Sequence, residues 1–311
     1  MEFKKKLAIG AGVVATATVA MHVFNKCVHI AATQDRSLDN IPDLYYNWKL
    51  GEISYTKHGK GKPILLVHDL TTYSSSYEWN RIVDRLAETN TVYCIDLLGC
   101  GSSDKPNLTY TNFLYVQLLT DFIKNVIGDK VDIVVTGESS SFVIATANME
   151  RTLIKKIIMV NPTDLNVVTK APGKVTKMFT KIINTPILGT FLYNIFTRKS
   201  KVRDMVGEDD AELTKVYYEA AHSNHPGSKY LFASLAGFYT TLNVKHCLGA
   251  LNNNISIIVG NRFEEYEEIA EEYQEILPTI DIFKFDGVHY LPQLEQAEDF
   301  VEKLIDIIYS I

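Results

Sequence analysis

Residues 131–141, VDIVVTGESSS, constrain the fold most, because they join an apolar β-branched run to a second apolar run. The spacing predicts a buried strand over 131–136 and a helix over 142–147. Ser139 lies between them, with the small residues Gly137 and Ser141 two positions to either side. Such a turn can hold a serine in a strained conformation that exposes its hydroxyl for nucleophilic attack. The alternative is an ordinary strand–helix connection in which Ser139 caps the helix.

Other apolar runs place this strand in a larger sheet. Residues 64–67, 91–95, 157–160 and 255–259 predict buried strands, with helix-like segments between most of them. This alternation predicts an α/β protein with a doubly wound, mostly parallel sheet. The alternating pattern at 51–57 predicts an antiparallel edge strand. Residues 163–251 contain helix-like segments and no strong strand, which predicts a helical insertion over the carboxyl edge of the sheet.

Residues 1–30 predict a membrane-associated segment. Lysines at positions 4–6 precede an uncharged, mostly apolar run of 18 residues at 7–24, which is near the lower limit for a membrane span. We expect an uncleaved single-pass anchor helix with its lysines in the cytoplasm and the remaining chain across the membrane. The alternative is a cleaved signal sequence and a secreted protein.

The composition argues against several function classes. The net charge is −6 and no long basic stretch occurs, so we expect no nucleic-acid partner. The four cysteines, Cys27, Cys94, Cys100 and Cys247, form no CxxC pair. We therefore expect no metal site.

Four segments, taken in order, resemble the α/β-hydrolase family over residues 48–311. They are LLVH at 65–68, DLLGCGSSDKP at 96–106, GESSS at 137–141 and GVHYLPQLE at 287–295. The resemblance implies an α/β-hydrolase core in two parts, 31–162 and 252–311. A helical cap, or lid, at 163–251 interrupts that core.

The resemblance also implies roles for individual residues. Ser139 is the expected nucleophile and His289 the base that takes its proton. Glu264 is the expected acid behind the base, with Glu265 or Asp164 as alternatives. The backbone N–H groups of Leu70 and Ser140 are the expected donors to the oxyanion.

We therefore expect a serine hydrolase that cleaves a carboxylic ester or a similar small-molecule acyl substrate through an acyl-enzyme, without a metal or organic cofactor. Dehalogenases and epoxide hydrolases of this family carry Asp at the turn, so Ser139 argues against both. The usual His-Gly pair is His68-Asp69 here, and Ser141 replaces a glycine. These departures favour the alternative, a catalytically impaired member that binds a ligand or a partner.

Overall fold

The computed structural model describes residues 2–38, 44–206, 210–223, 226–260, 264–288 and 290–310. Within these ranges, eight strands form one sheet. They are β1 (Leu44–Trp48), β2 (Gly51–His58), β3 (Lys62–Val67), β4 (Asn90–Ile95), β5 (Val131–Thr136), β6 (Ile154–Val160), β7 (Asn254–Gly260) and β8 (Asp281–Phe285).

The helices fall into three groups along the chain. Glu2–Thr33 forms the long N-terminal helix α1. The helices that belong to the sheet layers are α2 (Val83–Ala87), α3 (Asn112–Phe122), α4 (Ser139–Met149), α11 (Glu264–Ile276), α12 (Pro292–Glu295) and α13 (Ala297–Tyr309). Those between β6 and β7, here called the inserted helices, are α5 (Lys174–Ile183), α6 (Ile187–Phe196), α7 (Lys199–Val206), α8 (Ala211–His222), α9 (Ser228–Ala236) and α10 (Lys245–Gly249).

The sheet is doubly wound, as predicted. The strand order is β1-β2-β4-β3-β5-β6-β7-β8, and every pairing from β4 to β8 is parallel. The predicted edge position of β2 is wrong. Residues 44–48 form β1 and pair antiparallel to β2 on its outer side.

Apolar side chains of the central strands cover both faces of the sheet. Successive residues of a strand point to opposite faces, so Leu65 and Val67 join the core cluster that contains Phe142 of α4. Ile64 and Leu66 join the cluster that contains Phe300 of α13. Such burial on both faces explains why these strands are apolar runs rather than alternating ones.

The pairing of β3 with β5 positions the site. Val67 is the register partner of Val135. Because the strands are parallel, the two chains leave the sheet side by side at its carboxyl edge. Asp69 and Gly137 each follow two residues after this pair.

The N-terminal helix α1 differs from the others. It contains an 18-residue window of mean hydropathy 1.9, of which none is buried. By length and composition such a helix can cross a membrane, and a signal sequence near an N-terminus has the same properties.

Candidate active site

The turn between β5 and α4 is centred on Gly137, not on Ser139. Strand β5 ends at Thr136 and α4 begins at Ser139. Gly137 has a φ of +58°, in the left-handed region, whereas Ser139 has ordinary helical backbone. The predicted strained conformation at Ser139 is therefore wrong, because the chain reverses two residues earlier, where glycine has no Cβ to oppose the turn.

The Asp69 carboxylate fills the space in which a side chain at position 137 would lie. A Cβ atom on Gly137 would be 2.2 Å from Asp69 Oδ1 and 2.4 Å from Asp69 Cγ. Both distances are far below van der Waals contact. Asp69 comes from the loop after β3, so a neighbouring strand supplies the carboxyl group that stands at this turn.

Two backbone N–H groups converge on one oxygen of that carboxylate. Leu70 N donates to Asp69 Oδ1 at 2.8 Å, and Glu138 N donates to the same atom at 2.7 Å. The N–H of Ser140 instead donates to Gly137 O at 3.1 Å. The second donor to this carboxylate oxygen is Glu138, and the expected role of Ser140 as a donor to a substrate oxyanion stays a prediction. Two convergent N–H donors are an arrangement that can stabilise an oxyanion, and here both donate to Asp69 Oδ1.

Tyr290 contacts the other oxygen. Its hydroxyl donates a hydrogen bond to Asp69 Oδ2. Asn161 Nδ2 donates to Tyr290 O at 2.7 Å, and Tyr290 N donates to Glu295 Oε1 at 2.9 Å. Hydrogen bonds therefore fix both the carbonyl and the N–H group of the Tyr290 backbone. Tyr290 is not among the site residues predicted from the sequence, although it lies next to His289 in the GVHYLPQLE segment.

Glu78 is a second buried carboxyl group beside Asp69. Its Oε2 accepts the N–H of Asp69 at 3.2 Å, and its Oε1 accepts the hydroxyl of Tyr217 at 3.1 Å. Tyr217 lies on α8, so an inserted helix reaches the site. No motif surrounds Glu78, and only the packing of the loop after β3 brings it here.

Burial dominates the electrostatics of these carboxyl groups. Desolvation raises the pKa of Asp69, although the hydrogen bonds from Tyr290, Glu138 and Leu70 favour its ionised form. Desolvation, aided by the charge of Asp69, raises the pKa of Glu78 to about 8. Desolvation also raises the pKa of Glu138 to about 7. At neutral pH Glu78 therefore tends to hold its proton.

His68 shapes the loop that carries Asp69. Its Nε2 accepts the N–H of Leu97 at 3.0 Å. The proton of a neutral ring is then on Nδ1, which donates to Asp69 O at 2.6 Å. Burial lowers the pKa of His68, and this keeps the ring neutral in that tautomer.

The other expected residues occupy varied positions. Ser139 is fully buried, and its Oγ has no hydrogen-bond partner within the part of the chain that the structure describes. Glu264 and Glu265 are exposed in the first turn of α11. Asp164 Oδ1 accepts the N–H of Asn166 in a local turn. His289 lies outside the described residues, so its contacts with Ser139 and Glu264 stay predictions.

No group of three or more His, Cys, Asp or Glu side chains that could hold a metal ion occurs among the described residues. The site presents one carboxylate oxygen held by two N–H groups. While Asp69 stays in place, those donors cannot bind the oxyanion of a substrate.

Known proteins resemble the chain in both sequence and fold. A 2-hydroxy-6-oxo-6-(2'-aminophenyl)hexa-2,4-dienoic acid hydrolase of Metapseudomonas resinovorans is 29% identical over 116 residues, which cover 37% of this chain and 40% of that protein. A haloalkane dehalogenase of Agrobacterium fabrum is 40% identical over 60 residues, or 19% of each chain. The chain thus matches less than half the length of either relative.

A bromoperoxidase structure from Bacillus anthracis superposes with a TM-score of 0.65 at 19% identity, covering 86% of this chain and all of that one. This likeness shows a shared fold. The model of the alpha/beta hydrolase family matches residues 64–303. That range contains β3, the turn at Gly137 and the Tyr290 loop, and it spans most of the sequence. The chain therefore belongs to the alpha/beta hydrolase family.

Proposed function

We propose that the chain hydrolyses a small molecule and that the Asp69 carboxylate, rather than a serine hydroxyl, is the reacting group. The observation that carries this proposal is the pair of N–H donors on Asp69 Oδ1, at the turn where glycine leaves room for that carboxylate. The substrate class is an alkyl halide or another sp³ carbon that bears a leaving group. Family members that act on such carbons carry their aspartate on the turn itself, where this chain has Gly137. Here the Asp69 carboxylate reaches the same space from the loop after β3, and one relative is named a haloalkane dehalogenase.

In the first step, Asp69 Oδ2 attacks the carbon with an electron pair. A C–O bond forms, the carbon–halogen bond breaks, and halide leaves with its bonding pair. The product is an alkyl ester of Asp69, whose carbonyl oxygen is Oδ1. Tyr290 must release its hydrogen bond to Oδ2 for this attack, and it can then donate to the leaving group.

In the second step, water attacks Asp69 Cγ while His289, in its expected role as base, takes a proton. The negative charge that develops on Oδ1 is stabilised by the N–H groups of Leu70 and Glu138. Collapse breaks the bond between Cγ and Oδ2, so the alcohol carries Oδ2 away and the oxygen of the water stays on Asp69. The alcohol leaves with the proton from His289, and the new carboxyl group of Asp69 releases its proton to water.

Isotope labelling tests this route. The full chain in detergent is incubated with a panel of haloalkanes and epoxides in H₂¹⁸O. After many turnovers, the mass of the peptide that contains Asp69 is measured by mass spectrometry. An ester that is hydrolysed at Cγ transfers ¹⁸O to Asp69, and Asp69→Asn abolishes turnover. Turnover that leaves Asp69 unlabelled contradicts the proposal.

The alternative is the expected ester hydrolysis, with Ser139 as nucleophile, His289 as base and Glu264 as acid. One observation favours it: the buried Ser139 Oγ has no partner among the described residues. This route predicts labelling by a fluorophosphonate that Ser139→Ala and His289→Ala abolish. It also predicts ¹⁸O in the acid product and none in Asp69.

A binding function without catalysis is the other alternative. It is favoured by the occupied oxyanion hole, which an internal carboxylate closes to substrate. Absence of turnover on haloalkanes, epoxides and esters, together with thermal stabilisation of the protein by one of these compounds, would support it. That stabilisation follows from binding to the native state alone.

We also propose that α1 is a single-pass anchor, that the remaining chain lies outside the cytoplasm, and that the inserted helices cap the site. The exposed apolar window of α1 supports the first point. The contact of Tyr217 on α8 with Glu78 supports the last. Protease treatment of intact cells tests the orientation: the domain is degraded if it lies outside and protected if it lies inside.

A further inference from the structure

An apolar surface is exposed on two of the inserted helices. Val175, Met178 and Ile182 of α5 are 75%, 60% and 37% exposed. Leu188 and Ile195 of α6 are 44% and 37% exposed. These five residues, here called the apolar face, are spaced by three, four or seven positions within each helix, so each set follows one side of its helix.

A basic stripe runs beside the apolar face. Lys174, Lys177 and Lys181 of α5 are all exposed and are spaced by three and four residues. They therefore lie along one side of α5, adjacent to the side that carries Val175 and Met178. Lysines beside an apolar stripe are typical of helices that lie in a membrane interface, where the ammonium groups reach anionic headgroups.

The apolar face continues onto α1. Phe24 and Phe191 of α6 form an edge-to-face pair with ring centroids 5.2 Å apart. Asn25 Nδ2 donates to Ile187 O at 3.1 Å, and Asn194 Nδ2 donates to Asn25 Oδ1 at 3.0 Å. The apolar run of α1 ends at Phe24. Helix α6 therefore packs on α1 at the level where a membrane span would emerge from the bilayer.

We infer that the apolar face of α5 and α6 lies in the surface of an anionic membrane, beside the emerging α1. This inference rests on the proposed membrane anchoring of α1. Two features favour a bilayer over a second copy of the chain: the continuity with the apolar helix and the complementarity of the lysine stripe to anionic headgroups. Membrane contact also explains why so many large apolar side chains of one helix pair are exposed.

Fluorescence quenching by lipids brominated in their acyl chains tests the inference in the full chain, reconstituted into phosphatidylcholine–phosphatidylserine vesicles. Three variants each carry one added tryptophan: Met178→Trp in the apolar face, Val14→Trp in α1, and Met149→Trp as the matched control. Met149 is 62% exposed at the far end of α4. The native Trp48 and Trp79 are buried and contribute equally to all three.

We expect bromine to quench Val14→Trp and Met178→Trp, the latter at least about twofold more than Met149→Trp. Changing the three stripe lysines to glutamate should reduce quenching of Met178→Trp and leave that of Val14→Trp unchanged. If Val14→Trp is quenched but Met178→Trp is quenched no more than Met149→Trp, the inference is refuted while the proposed membrane anchoring of α1 is supported. If Val14→Trp is not quenched, both the proposed anchoring of α1 and the inference about the apolar face are refuted. A blue-shifted Met178→Trp emission without quenching indicates a second copy and also refutes the inference.

Discussion

Replacing Gly137 with alanine tests how firmly the Asp69 carboxylate is held at the turn between β5 and α4. The new Cβ would lie 2.2 Å from Asp69 Oδ1, so the carboxylate must move. A left-handed φ costs a residue with a Cβ about 1–2 kcal/mol. Each of the two hydrogen bonds that backbone N–H groups donate to the charged oxygen contributes about 1.5–3 kcal/mol, which would be lost. We expect Gly137→Ala to lower the free energy of unfolding by roughly 4–8 kcal/mol.

Removing the carboxylate first should remove most of this effect. In an Asp69→Gly background, the His-Gly pair usual in the family is restored and the space beside position 137 is open. Gly137→Ala should then lower the free energy of unfolding only by the cost of a left-handed φ for alanine, about 1–2 kcal/mol. The two substitutions are therefore expected to be coupled by about 3–6 kcal/mol, well above the departure from additivity seen for distant sites.

The assay is a double-mutant cycle measured by urea unfolding of the full chain in detergent, with the midpoint and slope recorded for wild type, both single variants and the double variant. A coupling below about 0.5 kcal/mol is the range of independent sites. That result would refute the placement of Asp69 against Gly137, and with it the proposed role of Asp69 in catalysis.

Three further predictions concern the groups around the site. Folded Glu78 holds its proton up to about pH 8, whereas an unfolded glutamate releases it near 4.5. The free energy of unfolding should therefore fall as the pH rises between these values. In urea titrations at several pH values, Glu78→Gln should make this fall less steep by up to about 1.4 kcal/mol per pH unit. Lys105→Met should lower the urea midpoint by the equivalent of about 2–4 kcal/mol, because the buried ammonium donates to carbonyls of Gly101 and Ala220; an unchanged midpoint would contradict this. Tyr290→Phe removes a donor that favours ionised Asp69, so the pH at which haloalkane turnover rises should shift upward by roughly one unit; a profile that does not move would show that Asp69 ionisation does not limit the rate.

The strands and helices could be predicted well because their signals are local. The apolar run at 255–259 corresponds to Asn254–Gly260, and the run at 157–160 lies within Ile154–Val160. The segment 163–251 is helical throughout its described elements, from Lys174 to Gly249. Residues 44–48 were harder to predict, because this outer strand is mostly exposed and Asn47 interrupts its run of Leu, Tyr and Trp, so the segment neither alternates strictly nor is fully apolar.

The position of the turn was predicted less well, because the GESSS motif fits the turn in two registers. The spacing of small residues around Ser139 matched the expected pattern. However, the last sheet residue is Thr136, and this places Gly137 rather than Ser139 at the reversal. Sequence spacing does not show at which residue a buried strand leaves its sheet, since that depends on pairing with the neighbouring strands.

The sequence by itself determined the family, the alternation of strands with helices and the apolar N-terminal helix, because hydrophobic periodicity and short motifs lie within a few tens of residues. Only the tertiary structure decided which side chain lies against Gly137 at the turn between β5 and α4. The pairing of Val67 with Val135 brings Asp69 beside Gly137, although 68 positions separate them (137 − 69). A carboxylate can fill that space only because glycine has no side chain there, and two backbone N–H groups that converge after folding hold it in place.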